Sequence, residues 1–194
     1  MKRKEQLILV RGGGDIASGT IYKLLQCGYS VLVLETEMPS AIRRYAAFSE
    51  AVYDGVSRVE DKTCRLAGNF REARKIMETG EAAMLVDPDC RVLKEACPFA
   101  LVDAILAKKN LGTSREMAPK TIALGPGFQA GRDADLVIET MRGHQLGRVI
   151  HEGSALPDTG VPGLIQGYGA ERVIHAPAAG RMENLRKIGD IVKK

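Results

Sequence analysis

The chain has 194 residues, 45% of them hydrophobic and 27% charged, with a formal net charge of +4. That length suits one domain of ordinary size with a small appendage, and the apolar fraction is enough for a buried core. The mild charge, basic residues in short pairs such as Lys108-Lys109 and Arg186-Lys187, 5% aromatics and no Trp argue against a nucleic-acid surface.

Leu7–Arg11 (LILVR) is a short apolar run that ends at glycines and predicts a buried strand. Asp15–Gln26 sets Ile16, Ile21, Leu24 and Leu25 at helical spacing, and Gly28 is a natural stop. Val31–Glu35 (VLVLE) predicts a second strand, and such runs without alternation suit a parallel sheet covered on both faces. Ser40–Val52 predicts a second helix opened by Ser40, and Val56–Ala67 one strand or a hairpin. Asn69–Thr79 predicts a helix with an Asn cap. Ala83–Asp87 reads as a third buried strand stopped by Pro88, and Phe99–Lys109 as a helix. Thr121–Leu124 reads as a fourth strand, ending at Gly125-Pro126-Gly127, and Asp135–Glu139 as a fifth. Beyond Thr140, dense glycine and proline predict loops and short strands. The alternation assigns the α/β class: a Rossmann-like, doubly wound, mostly parallel sheet with a glycine-rich, short-strand C-terminal region.

The strongest local signal is Gly12-Gly13-Gly14-Asp15-Ile16-Ala17, which fits G-x-G-x-x-G/A between a strand and a helix. A pyrophosphate needs close backbone approach and free N–H groups at a helix N-terminus, where the dipole favours negative charge. Glu35 ends the next strand about 20 residues on, where a carboxylate can accept from ribose hydroxyls. Glu37 nearby disfavours a 2′-phosphate unless Arg43 or Arg44 folds back. Asp15 opposes a phosphate unless it points away or shares a cation. The plain alternative is a tight turn that binds nothing.

A second turn, Gly125-Pro126-Gly127, follows the fourth strand and either faces the same crevice or is an ordinary turn. Thr140, Arg142 and His144 lie just past Glu139, and together a hydroxyl, a guanidinium and an imidazole can grip an oxyanion. The bland reading is a solvated loop with Arg142 paired to Glu139. Asp133, Asp135, Glu139 and His144 match no standard metal spacing, so no metal site is assigned. The four cysteines, Cys27, Cys64, Cys90 and Cys97, form no Cys-x-x-Cys pair. No signal peptide is read at Met1–Gln6, and no run approaches the roughly 20 apolar residues that cross a bilayer. A cytoplasmic protein with reduced thiols, bound to no membrane, is expected.

The segment Ile122–Gly163, the opening VRGGGDIASG, the block TEMPSAIRRYAAFSEAVYDG and Val102–Gly112 (VDAILAKKNLG) resemble the YqeB-type accessory proteins of selenium-dependent molybdenum hydroxylases. These are related to the XdhC/CoxI-like xanthine dehydrogenase accessory proteins. The resemblance implies a cofactor-maturation role with a Rossmann-like domain, binding the molybdenum cofactor as molybdopterin or its dinucleotide and delivering it to an apo molybdenum hydroxylase. It brings no established catalytic residues. Family members continue into a small lipoyl-like β domain, and His175–Lys194 resembles its opening. The resulting division is 1–140 as the nucleotide-binding domain, 141–174 as a glycine/proline-rich segment packed on it, and 175–194 as the start of a truncated lipoyl-like domain.

The cofactor-binding candidates are therefore Gly12, Gly13, Gly14, Asp15, Ile16, Glu35, Gly125, Gly127, Thr140, Arg142 and His144. An NAD-like nucleotide stays open as the ligand, and an NAD-dependent oxidoreductase as the second reading, although no Tyr-x-x-x-Lys pair accompanies the turn. A third reading is a scaffold whose glycine turn is vestigial. The expected assembly is a homodimer.

Overall fold

A computed structural model describes residues 5–180, 183 and 185–193. The chain divides into two units, one ending at Asp158 and the other beginning at Thr159. The first unit is a mixed α/β structure built on a nine-stranded, mostly parallel sheet.

β1 (Leu7–Arg11) runs into α1 (Asp15–Gln26) and then β2 (Ser30–Glu35). β1 pairs in parallel with β2 on one side and with β6 (Ala100–Asp103) on the other. The hairpin β3 (Val56–Val59) and β4 (Lys62–Leu66) leads through α3 (Phe70–Glu78) to β5 (Ala82–Val86), which lies parallel between β2 and β4. Beyond β6 come β7 (Thr121–Leu124), β9 (Leu136–Ile138) and the antiparallel edge β10 (Val149–Ile150). β8 (Gln129–Ala130) and β11 (Gly153–Ser154) form a separate small ladder.

The order β5-β2-β1-β6-β7-β9 reproduces the strand order 3-2-1-4-5-6 of doubly wound dinucleotide-binding folds. Its direction reverses at β1, which puts the turn after β1 at the place where such sheets open a crevice.

Alternate residues of each central strand serve opposite faces. Ile8, Val10, Val31 and Val33 pack with Ala17 and Ile21 of α1 and with Phe48. Leu9, Leu32, Leu34 and Leu101 pack on the other side with Ala73 and Met77 of α3 and with Val92 and Ala96. Burial on both faces is why these strands read as unbroken apolar runs. Asn69 caps α3 as expected, its side chain accepting from the Glu72 N–H at 2.9 Å.

Two expected helices are absent. Ser40–Val52 holds one-turn 3-10 helices at Arg44–Ala46 and Phe48–Glu50, and the short α2 spans Ala51–Asp54. Docking decides this: the Phe48 N–H donates to Ser18 Oγ, the Ser49 N–H donates to the Gly13 carbonyl, and Phe48 is fully buried. Phe99–Lys109 contains β6 instead of a helix. Its four residues are buried between β1 and β7, and Leu106 and Lys108 then take left-handed backbone that no α-helix continues.

The second unit has a bridge between Ile165 and Tyr168 and a 3-10 helix at Ala170–Arg172, with the Arg172 guanidinium donating to the Gly163 and Tyr168 carbonyls. Arg181, Met182, Asn184 and Lys194, part of the segment read as the opening of a lipoyl-like domain, lie outside the described residues. No helix among the described residues is long and apolar enough to cross a membrane.

Candidate functional site

At the end of β1 each glycine has a different task. Gly12 has φ +92°, and a Cβ there would sit 2.9 Å from Ile105 Cα, so only glycine fits. Its N–H donates to the Leu34 carbonyl at 2.8 Å. A Cβ on Gly13 would meet Met84 Cε at 2.9 Å and Ser49 N at 3.1 Å. Gly14, by contrast, has φ −64° and faces open space. It is the N-cap of α1 and supplies no side-chain cap. Among the described residues, the Gly14 and Asp15 N–H groups have no acceptor, as helix starts leave them.

Two carboxylates flank these amides. Glu35 Oε2 accepts from the Gly13 N–H at 2.8 Å, and Oε1 from the Thr36 N–H at 2.8 Å. Asp15 Oδ1 accepts from the Ile16 N–H at 2.9 Å, and Oδ2 pairs with Arg43 Nη1 at 2.8 Å. Asp15 thus shares a cation, and Arg43 is the arginine that folds back. Arg44 instead pairs with Glu50 at 2.6 Å.

Beside the turn lies a cleft of about 220 Å³. Arg11 and Gly12 line it from the end of β1 and the turn after it, Leu34, Glu35 and Thr36 from the end of β2 and just beyond, Pro88 and Asp89 from beyond β5, and Ile105 and Leu111 from beyond β6. Of the residues singled out from the sequence, Gly12 and Glu35 line the cleft, while Gly13, Gly14 and Asp15 adjoin them in the turn. Ile16 is exposed in the first turn of α1.

Gly125, Gly127, Thr140, Arg142 and His144 are not among the lining residues. A Cβ on Gly125 would meet Thr140 Oγ1 at 2.7 Å, and one on Gly127 would meet Lys109 Cα at 2.5 Å. These glycines let two stretches of chain pack closely. Arg142 and His144 are exposed. Glu139 is buried and is held by main-chain amides: Oε1 accepts from Thr140 and Met141, and Oε2 from Leu156, each at 2.8 Å. Burial pushes its carboxyl up, but those three donors outweigh burial and hold it below the usual range. Asp135 is also held low, first by the Thr121 N–H and, against burial, by Arg115 and the Thr121 hydroxyl. Asp133 pairs with Arg132.

All four cysteines are free. Burial pushes the Cys64 and Cys90 thiols up, so both behave as small apolar side chains.

Sequence reasoning missed Arg11, Asp103 and Thr113. Arg11 is 5% exposed and Asp103 1%, and the two are register partners on β1 and β6. Arg11 Nη1 donates to Thr113 Oγ1 and to Asp103 Oδ2, the latter at 3.4 Å. The available signal was a charged residue closing an apolar strand, in LILVR and again in ALVD.

Over 189 residues, 97% of this chain, the sequence is 54% identical to "Uncharacterized protein YqeB" of Escherichia coli (strain K12). The chain spans 35% of that protein's length. No family model matches, and no solved structure gives a significant match.

Proposed function

We propose that the first unit binds a phosphate-bearing cofactor, molybdopterin or its dinucleotide form, for maturation of a selenium-dependent molybdenum hydroxylase in the cytoplasm. One observation carries the binding part. Gly14 is open to approach at the start of α1, its N–H lacks an acceptor among the described residues, and it adjoins a cleft at the point where strand order reverses. The family resemblance of the glycine turn and of Ile122–Gly163 supplies the cofactor class and the partner, an apo-hydroxylase.

The residues present fit such a group. Gly14 and Asp15 offer N–H donors to a phosphate, and Arg43 adds a cation beside them. Glu35 uses one lone pair per oxygen on main-chain amides and keeps others for a diol or another donor-bearing group. The cofactor brings the metal chemistry, and the chain's own groups bind and orient it.

The test is thermal melting against purified molybdenum cofactor. Binding shifts Tm upward by about 5–10 °C at roughly 100 times Kd. No shift at saturation sinks the reading. The strand order and Glu35 suit a dinucleotide as well, which keeps an NAD-dependent oxidoreductase as the second reading. A change in NADH fluorescence on mixing selects it.

A further inference from the structure

We propose that Arg11 is the positioning residue of the cleft, forming with Asp103 a buried clamp that sets its walls. The proposal rests on reading the cleft as a cofactor site. A guanidinium and a carboxylate buried at the centre of a sheet are costly, and an apolar pair of similar volume is often neutral or stabilising. The pair therefore needs a reason other than stability, and its hydrogen bonds supply one.

Arg11 Nη2 donates to the Pro88 carbonyl at 3.1 Å and to the Leu111 carbonyl at 3.2 Å. Nη1 donates to Thr113 and Asp103. Asp103 accepts from the Thr113 hydroxyl through Oδ2, and from the Ile105 N–H at 3.1 Å through Oδ1. Pro88, Ile105 and Leu111 all line the cleft. One ion pair thus ties together the wall after β5 and both parts of the wall after β6.

The wall after β6 needs such a tie. From Ala104 to Ser114 no regular element forms, and Leu106 and Lys108 take left-handed backbone. Asn110 stiffens the local turn, its side chain accepting from the Gly112 and Thr113 N–H groups and donating to the Thr113 carbonyl. Only Arg11 fastens that turn to β1 and to Pro88 together among the hydrogen bonds of the described residues. A lysine could not do this, because one ammonium cannot reach four acceptors spread across a planar fork.

The experiment compares the full chain with the double variant Arg11→Met/Asp103→Leu and with Arg11→Lys. Amide hydrogen exchange and calorimetric binding of ADP-ribose are the readouts. Exchange is expected to rise at least about tenfold at 89–90 and 104–113 and to stay unchanged in α1 and β2, while binding weakens by about tenfold or more. The apolar pair separates positioning from stability, since it keeps Tm and still loses the local protection. If it fails to fold, Arg11→Lys decides on the same two readouts.

A folded variant with unaltered exchange at those segments, or a uniform rise across the sheet, overturns the proposal. Failure of the wild-type chain to bind ADP-ribose or molybdenum cofactor sinks the reading of the site. In that case the exchange pattern alone decides whether the pair sets the walls.

Discussion

Glu35 Oε2 accepts a hydrogen bond from the Gly13 main-chain N–H at 2.8 Å, across the ends of two adjacent parallel strands. The carboxylate thereby holds the glycine turn in place and keeps its remaining lone pairs toward the cleft it lines. Glu35→Ala removes both this bond and the one from Thr36. The expected loss is about 1–3 kcal/mol, because a charge-assisted bond goes and a partly buried N–H is left without a partner. A denaturant titration measures it, and Glu35→Gln should retain part of the stability.

Gly12 and Gly14 are expected to respond oppositely to a side chain. Gly12→Ala forces a Cβ to 2.9 Å from Ile105 Cα at a left-handed φ and should cost about 1–3 kcal/mol or more. A Cβ on Gly14 meets nothing within 4 Å, so Gly14→Val should cost only the N-cap preference for glycine, about 1 kcal/mol, and leave the chain folded. It should still abolish ADP-ribose binding by covering the N–H groups of the turn. Retained binding in folded Gly14→Val would exclude the turn as the contact.

The Asp15–Arg43 pair is exposed, with side chains 31% and 64% accessible, so breaking it should cost at most about 1 kcal/mol. Its effect on ligand should be larger and of two signs. Arg43→Ala removes a cation beside the helix start and weakens pyrophosphate binding. Asp15→Asn removes a competing negative charge and strengthens it. Titration calorimetry at two salt concentrations checks both, since the difference should shrink as salt rises.

Glu139 gives the fold an acid limit. Its folded-state carboxyl titrates below the ordinary value of 4.5, so its contribution is complete above that pH and is lost as pH falls through the lower folded value. Stability should therefore decline on acidification below about pH 4.5, with Asp133 and Asp135, also held low, adding to the slope. Glu139→Gln should flatten part of that decline and destabilise the chain at neutral pH, because an amide NH₂ would face one of the three donors. Melting from pH 3 to 7 follows it.

Local rules made several elements legible. The glycines after LILVR, the spacing of α1 and the Asn69 cap act within a few residues, so composition and order specify them. Phe99–Lys109 was misread because a short apolar run suits a helix or a fully buried strand alike. Insertion of Ala100–Asp103 between β1 and β7 made it a strand. Ser40–Val52 was misread because its N–H groups donate to the Gly13 carbonyl and the Ser18 hydroxyl, which are distant in sequence, and these bonds outweigh helical preference.

The order of residues alone determined that a glycine turn joins a buried strand to a helix, with a carboxylate closing the next strand. Tertiary structure decided what each glycine touches, which arginine folds back on Asp15, and that Gly125 and Gly127 serve close packing. It alone brought Arg11 to Asp103, 92 residues away. The reason is physical: turns and caps are settled by neighbours along the chain, whereas clefts, ion pairs and steric fits depend on which strands lie side by side.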